Sequence, residues 1–146
     1  MLDGLTAVNS LRLALGVLAS QGQDRGEHTA VLDQFESIQP VVRVHPVTGR
    51  KALFVTAAST TRIVELTPAE SAHVLALLFE HVKSADFAMR HRWAVNDIAI
   101  WDNRSVMHYA VPDYEGRRVM QRVVLAGSRP VGPVPNRMEC VEPAET

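Results

Sequence analysis

Between Asn96 and Gly127 the chain reads NDIAIWDNRSVMHYAVPDYEGRRVMQRVVLAG, and three of its residues have the types to do chemistry: His108, Arg118 and Arg122. Arg118 and Arg122 lie four apart in a β-branched run, Arg117 to Ala126, that reads as a strand. With a side-chain period of two, both project from one face. Arg122 precedes Val123, Val124 and Leu125, which are expected to be buried, and a buried guanidinium needs an anionic partner to offset its desolvation. Two such groups predict a pocket for one or two anions. The planar fork of arginine suits carboxylate or sulfonate. His108, between Met107 and Tyr109 on the preceding expected strand, would line the same pocket. A plainer alternative stands beside this one. Paired arginines on a strand usually meet acids of their own protein, and Asp97, Asp102, Asp113 and Glu115 are near in sequence. A lone histidine in an apolar run is usually a packed core or edge residue.

The elements that must position these residues follow from local patterns. Residues Leu2 to Ser20 carry Leu5, Val8, Leu11 and Leu15 at helical spacing, which predicts a helix. Gln21 to His28 reads as a loop. Val41 to Val44, a turn at His45-Pro46-Val47-Thr48-Gly49, and Lys51 to Thr56 predict a hairpin. Thr67-Pro68-Ala69-Glu70 is a capping box with proline at the first helical position. The helix it opens carries Val74, Leu75, Leu78 and Val82 on one side and should end near Lys83-Ser84. Strand-period alternation then runs from Phe87 to Trp93, with Trp93 in the core. Asn96-Asp97 marks a tight turn, and Ile98 to Trp101, Val106 to Val111 and Arg117 to Ala126 read as further strands. The whole predicts a mostly β domain with helices packed outside it. The domain is expected over residues 1–127, with a loose, proline-rich tail over 128–146.

Composition narrows the class without naming a function. The 146 residues are 47% hydrophobic and 21% charged, with a formal net charge of −1. That suits a domain with its own core, with no membrane partner and no nucleic-acid partner. A basic patch of Arg117, Arg118 and Arg122 for nucleic acid is disfavoured by that charge and by the few aromatics around it. No apolar run nears the roughly 20 residues that span a membrane. The single cysteine, Cys140, forms no internal disulfide, and together these features predict a cytoplasmic protein. Self-association into a homo-oligomer is left open.

The ordered strings carry more. HPVTGRKALFV, then TTRIVEL, then NDIAIWDNR, then HYA, an acidic-aromatic pair and RRxMxR resemble, in that order, the taurine dioxygenase (TauD/TfdA) family of Fe(II)/2-oxoglutarate-dependent dioxygenases. The resemblance covers Val41 to Gly127 and, more faintly, the N-terminal segment. It implies a fold that is mainly β with flanking helices, here part of a double-stranded β-helix (jelly roll). It implies Fe(II), 2-oxoglutarate as co-substrate and O2. His108 matches the distal histidine of the family's iron site of two histidines and one carboxylate. Arg118 matches the arginine that clamps 2-oxoglutarate, and Arg122 the arginine that meets an anionic substrate group. The implied activity is hydroxylation of a small anionic organic substrate such as a sulfonate, a sulfate ester or an aryloxy-carboxylate. Trp101, Asp102, Asn103 and Arg104 match a turn string whose role is expected to be structural.

The pattern breaks in one place of consequence. The other two iron ligands of the family come from a His-x-Asp or His-x-Glu motif, and none of His28, His45, His73, His81, His91 or His108 is followed two residues later by Asp or Glu. The expectation is therefore a truncated member, shortened by its gene or by a misread start. Its alternative is a non-catalytic remnant serving as an anion-binding or interaction subunit. Ser59, where taurine enzymes carry an aromatic residue before TTRI, and a loop between Tyr114 and Arg117 one residue shorter than theirs put taurine itself in doubt. His45, beside Pro46, reads as a turn residue rather than a ligand. His73 and His81 share a face of the expected helix, with no third ligand apparent.

Overall fold

A computed structural model of the chain describes residues 1–10 and 36–133. Five strands come first: β1 (Thr6–Ser10), β2 (Glu36–Pro40), β3 (Val42–Val44), β4 (Lys51–Leu53) and β5 (Thr60–Ile63). Among the described residues one helix, α1 (Pro68–Val82), and a 3-10 turn at Ala85–Phe87 follow. The fold is thus mainly β with a flanking helix. β1 is the centre of a three-stranded sheet ordered β2-β1-β5, and β3 and β4 form a second, two-stranded sheet.

The strand at β1 corrects the helix expected from Leu2 onward. Only Leu5 and Val8 of the helical-spacing set fall among the described residues; Leu11, Leu15 and the expected loop at 21–28 lie outside them. What decides the conformation here is pairing. β1 is antiparallel to β2 from Thr6↔Pro40 to Ser10↔Glu36, and on its other edge it pairs with β5. Both sides of its backbone are thereby satisfied, and Ala7 is fully buried. Such a set of cross-strand bonds outweighs a modest helical preference.

Val41 joins the two sheets. Its amide donates to the Leu5 carbonyl (3.0 Å), its carbonyl accepts from the Phe54 amide (2.8 Å), and its side chain is fully buried. The expected hairpin forms as read, with Val42↔Leu53, Arg43↔Ala52 and Val44↔Lys51 in register. Its turn is closed by His45 N–H to the Arg50 carbonyl and Gly49 N–H to the His45 carbonyl, both 2.9 Å. Gly49 has a φ of 69°, which a residue bearing a Cβ adopts at a cost.

α1 also forms as read. Thr67 and Glu70 close the capping box, Pro68 stands at the start, and Lys83 caps the end. Hydrogen bonds from the Thr67 hydroxyl and amide hold the Glu70 carboxyl below its ordinary range. Leu75 and Leu78 are buried against Ala7, Val41, Val42, Val55 and Ile63, with Val74 and Phe79 packed beside them. Each leucine so buried contributes about 1.5–3 kcal/mol. Ser71 binds helix to sheet, its buried Oγ accepting the Ile63 amide at 2.8 Å.

Beyond the helix the expected strands do not form. Among the described residues no strand follows Ile63, so the readings at Phe87–Trp93, Ile98–Trp101, Val106–Val111 and Arg117–Ala126 are corrected. The alternation is present in the sequence, but a strand needs a neighbour to take its amides and a layer to cover its apolar face. Neither is present: Ile98 is 88% exposed, Ile100 94%, and Trp93, expected in the core, lies partly exposed with His91 edge-on to it. The turn at Asn96-Asp97 does form. Asn96 takes a φ of 73°, and Asp97 accepts the Ala94 amide at 2.8 Å. Near its end the segment returns to the sheet, where the Val131 carbonyl accepts from the Val44 amide at 2.8 Å.

The Ser71 contact yields a test. Ser71→Ala strands the buried Ile63 amide and is expected to lower stability by about 1–3 kcal/mol, read as a fall in the midpoint of urea unfolding with an unchanged slope.

Candidate functional site

His108, Arg118 and Arg122 all lie on the extended segment after α1. The imidazole of His108 stands against the indole of Trp101, with ring centroids 4.8 Å apart and planes tilted by 55°. The guanidinium of Arg118 lies over the Tyr114 ring, 5.2 Å from its centroid, a cation–π contact. Arg122 is exposed, and so are Val123 at 89% and Leu125 at 86%. The burial expected around Arg122 is therefore not found, and with no strand there the shared strand face of the two arginines is not found either. The cause is the same lack of a pairing neighbour.

The plainer alternative for the arginines fares no better. Asp102 is taken by Arg104 and His45, Asp113 by Arg90, and Asp97 by His91 and the Ala94 amide. Among the described residues neither Arg118 nor Arg122 forms a salt bridge with these acids.

The best-ordered chemistry near His108 is the turn that precedes it. Trp101 Nε1 donates to Asn103 Oδ1 at 2.8 Å, and the Ser105 and Val106 amides donate to the Asp102 carbonyl at 3.1 and 3.0 Å. The Asp102 carboxylate receives the Arg104 side chain through Nε (2.8 and 3.0 Å) and Nη2 (2.6 Å), and also the Arg104 amide (2.9 Å). His45 Nε2 lies 2.9 Å from the same carboxylate. The bonds from Arg104, and then that from His45, hold the Asp102 carboxyl well below the usual carboxylate range. Asp102 in turn raises the Arg104 guanidinium. The string Trp101–Arg104 forms a turn closed by its own hydrogen bonds. What sequence reading missed is its attachment: His45 sits in the hairpin turn as expected, and it also holds Asp102.

A separate depression at the start of α1 is lined by Thr61, Arg62, Ile63, Leu66, Pro68, Ser71 and Ala72. None of His108, Arg118 or Arg122 borders it. His73 Nδ1 lies 2.7 Å from the Ala69 carbonyl of its own helix, and His81 packs edge-on against Phe87, so both are accounted for locally.

Comparison with known proteins settles the relationship. The model of the family described as "Taurine catabolism dioxygenase TauD, TfdA family" matches residues 1–124. The chain belongs to that family. An alpha-ketoglutarate-dependent sulfate ester dioxygenase of Pseudomonas putida is 46% identical over 99 residues, 67% of this chain and 33% of that protein. An alpha-ketoglutarate-dependent sulfonate dioxygenase of Saccharomyces cerevisiae is 42% identical over 97 residues, 64% of this chain and 24% of that protein. A Burkholderia xenovorans crystal structure, assigned as an alpha-ketoglutarate dependent 2,4-D dioxygenase, superposes with a TM-score of 0.58 at 27% identity, covering 71% of this chain and 39% of that one. The chain therefore spans about a third of the length of the curated relatives it matches. The TauD/TfdA fold is a jelly roll, and the two sheets and flanking helix described above are part of one.

The iron implied by TauD/TfdA membership finds no complete set of donors here. Among the described residues no three His, Cys, Asp or Glu side chains gather where they could hold a metal ion. His108 meets Trp101 rather than a second ligand. One imidazole does not hold Fe(II) usefully without its partners, so the described residues do not fit the bound metal by themselves.

The Asp102 contacts predict an acid response. A carboxylate whose value is depressed on folding contributes stability above its unfolded value, here near 3.8, and loses it as pH falls through the folded value. The thermal midpoint is therefore expected to fall more steeply below about pH 4 in the native chain than in Asp102→Asn. Equal acid limbs in the two proteins count against the ionised latch.

Proposed function

We propose that the chain is a portion of an Fe(II)/2-oxoglutarate-dependent dioxygenase that hydroxylates a carbon beside a small anionic group, converting 2-oxoglutarate and O2 to succinate and carbon dioxide. In this reading residues 1–127 belong to the catalytic jelly roll and 128–146 form a tail. His108 supplies one imidazole to the iron, Arg118 binds the distal carboxylate of 2-oxoglutarate, and Arg122 meets the sulfonate, sulfate or carboxylate of the substrate. The observation that carries the reading is the ordered run of family strings from Val41 to Gly127, inside a family match over residues 1–124. It is supported by Asp97, Asp102 and Asp113 being engaged by other cations, while among the described residues neither Arg118 nor Arg122 forms a salt bridge. The substrates for which the relatives are named, sulfate esters, sulfonates and an aryloxyacetate, are all organic anions. The same reading places the protein in the cytoplasm. Cys140 as the sole cysteine supports this, and no described helix is long and apolar enough to cross a membrane.

One observation favours a second reading. No histidine of the 146 residues is followed by x-Asp or x-Glu. On that ground the chain acts as a non-catalytic, anion-binding or interaction subunit that keeps the arginines and not the iron centre.

A chimera separates the two. Residues 1–127 replace the matching third of the Pseudomonas relative, which supplies the remaining strands. The first reading expects oxygen-dependent succinate formation with an alkyl sulfate; a folded chimera that binds 2-oxoglutarate without making succinate supports the second. Within the chimera, Arg118→Ala is expected to weaken 2-oxoglutarate by on the order of a hundredfold, the scale of losing one partner of a desolvated charge pair. Arg122→Ala is expected to weaken the anionic substrate with far less effect on 2-oxoglutarate. Equal loss of both ligands in both variants would sink the assignment of roles.

A further inference from the structure

His45 is 57 residues from Asp102 in sequence and on a different part of the fold, yet its ring has a definite job at each nitrogen. Nδ1 accepts the amides of Val47 (3.3 Å) and Thr48 (3.1 Å). A nitrogen accepting two N–H groups carries no proton, so the proton of the neutral ring sits on Nε2 and is donated to Asp102 Oδ2 at 2.9 Å. The ring is buried, whereas the Asp102 carboxylate is partly exposed and further held by Arg104. A buried imidazole thus links the β3–β4 turn to the turn Trp101–Arg104. That second turn begins with Trp101, whose indole lies against the His108 ring.

We infer that His45 is a positioning residue for His108, acting through Asp102 and the Trp101–Arg104 turn. The hairpin turn sets the tautomer of His45, and the tautomer decides that Asp102 meets a donor rather than a lone pair. Asp102, so placed, fixes the turn, and the turn fixes Trp101 against the His108 ring. His108 stands on a segment with no strand partner among the described residues, so this side-chain connection does part of the work that a ladder would otherwise do. The inference rests on His108 as the functional imidazole, but its geometry is testable whether or not the chain takes part in turnover.

Two half-substitutions of His45 divide its roles in the full-length chain. The amide oxygen of His45→Asn takes the place of Nδ1 and keeps the Val47 and Thr48 amides, but reaches no farther. The longer His45→Gln carries its amide nitrogen toward the place of Nε2 and restores a donor to Asp102. The readout is the His108 ring proton resonance by NMR, displaced in the native chain by the ring current of Trp101. The displacement is expected to be lost in His45→Asn with the hairpin amide resonances unchanged, and to be regained at least in part in His45→Gln. A role confined to the hairpin predicts the opposite order, and that result overturns the inference. Should His45→Asn disturb the hairpin, Asp102→Asn leaves the Nδ1 contacts untouched and decides the matter. Loss of the His108 displacement supports the connection, and its persistence refutes it. Because no iron or 2-oxoglutarate enters this experiment, a chimera that fails to make succinate leaves its outcome standing.

Discussion

An extended backbone holds its shape in water only when a neighbour takes up its amides and carbonyls, and that constraint divides the molecule in two. Where partners exist, the chain is ordered to the level of individual hydrogen bonds. β1 is bonded on both edges, and Val41 is shared by both sheets. α1 is held by a full capping box and by Ser71 on the Ile63 amide. Where strand partners are absent, among the described residues from Ala88 to Leu125, sequences with clear strand character form no strand and expose apolar residues such as Ile98, Ile100, Val123 and Leu125. The chain spans about a third of its curated relatives, and a jelly roll pairs strands that are far apart in sequence, so the pairing deficit falls on the segment bearing the site residues.

The site inherits this division. His108, Arg118 and Arg122 are presented by the unpaired segment and rest on local contacts: His108 on Trp101, Arg118 on Tyr114. The route back to the ordered sheets runs through side chains, above all His45 and Asp102, together with the Val131 carbonyl on β3. A histidine whose two nitrogens are both committed is a directional joint, because rotating the ring or moving its proton to the other nitrogen exchanges a donor for an acceptor at a carboxylate that tolerates only donors.

What was legible in the sequence was what is decided locally. The capping box Thr67–Glu70 and the hairpin around His45–Gly49 are set by a few adjacent residues, and both formed as read. The helix expected from Leu2 failed at Thr6–Ser10 because two of the apolar residues fit helical spacing while β2 and β5, distant in sequence, supplied the decisive bonds. The strands expected after Phe87 had the right alternation; alternation reports a face to be covered, not the presence of a cover. At the site, residue types and order were legible, since they survive as strings such as WDNR and RRVMQR. The His45–Asp102 contact was not, because nothing in either string specifies a partner 57 residues away.

The close seat of Gly132 has a consequence of its own. A Cβ at this position would lie 3.1 Å from the Cβ of Pro40, a tight contact that would need the neighbour to give by a few tenths of an ångström. Beside it, the Val131 carbonyl occupies the Val44 amide, on the side of β3 away from its hairpin partner. An open sheet edge is a template for other chains. The close approach at Gly132 thus lets a backbone carbonyl cover part of the β3 edge, so that part of the sheet is closed by the chain itself rather than left open to another strand.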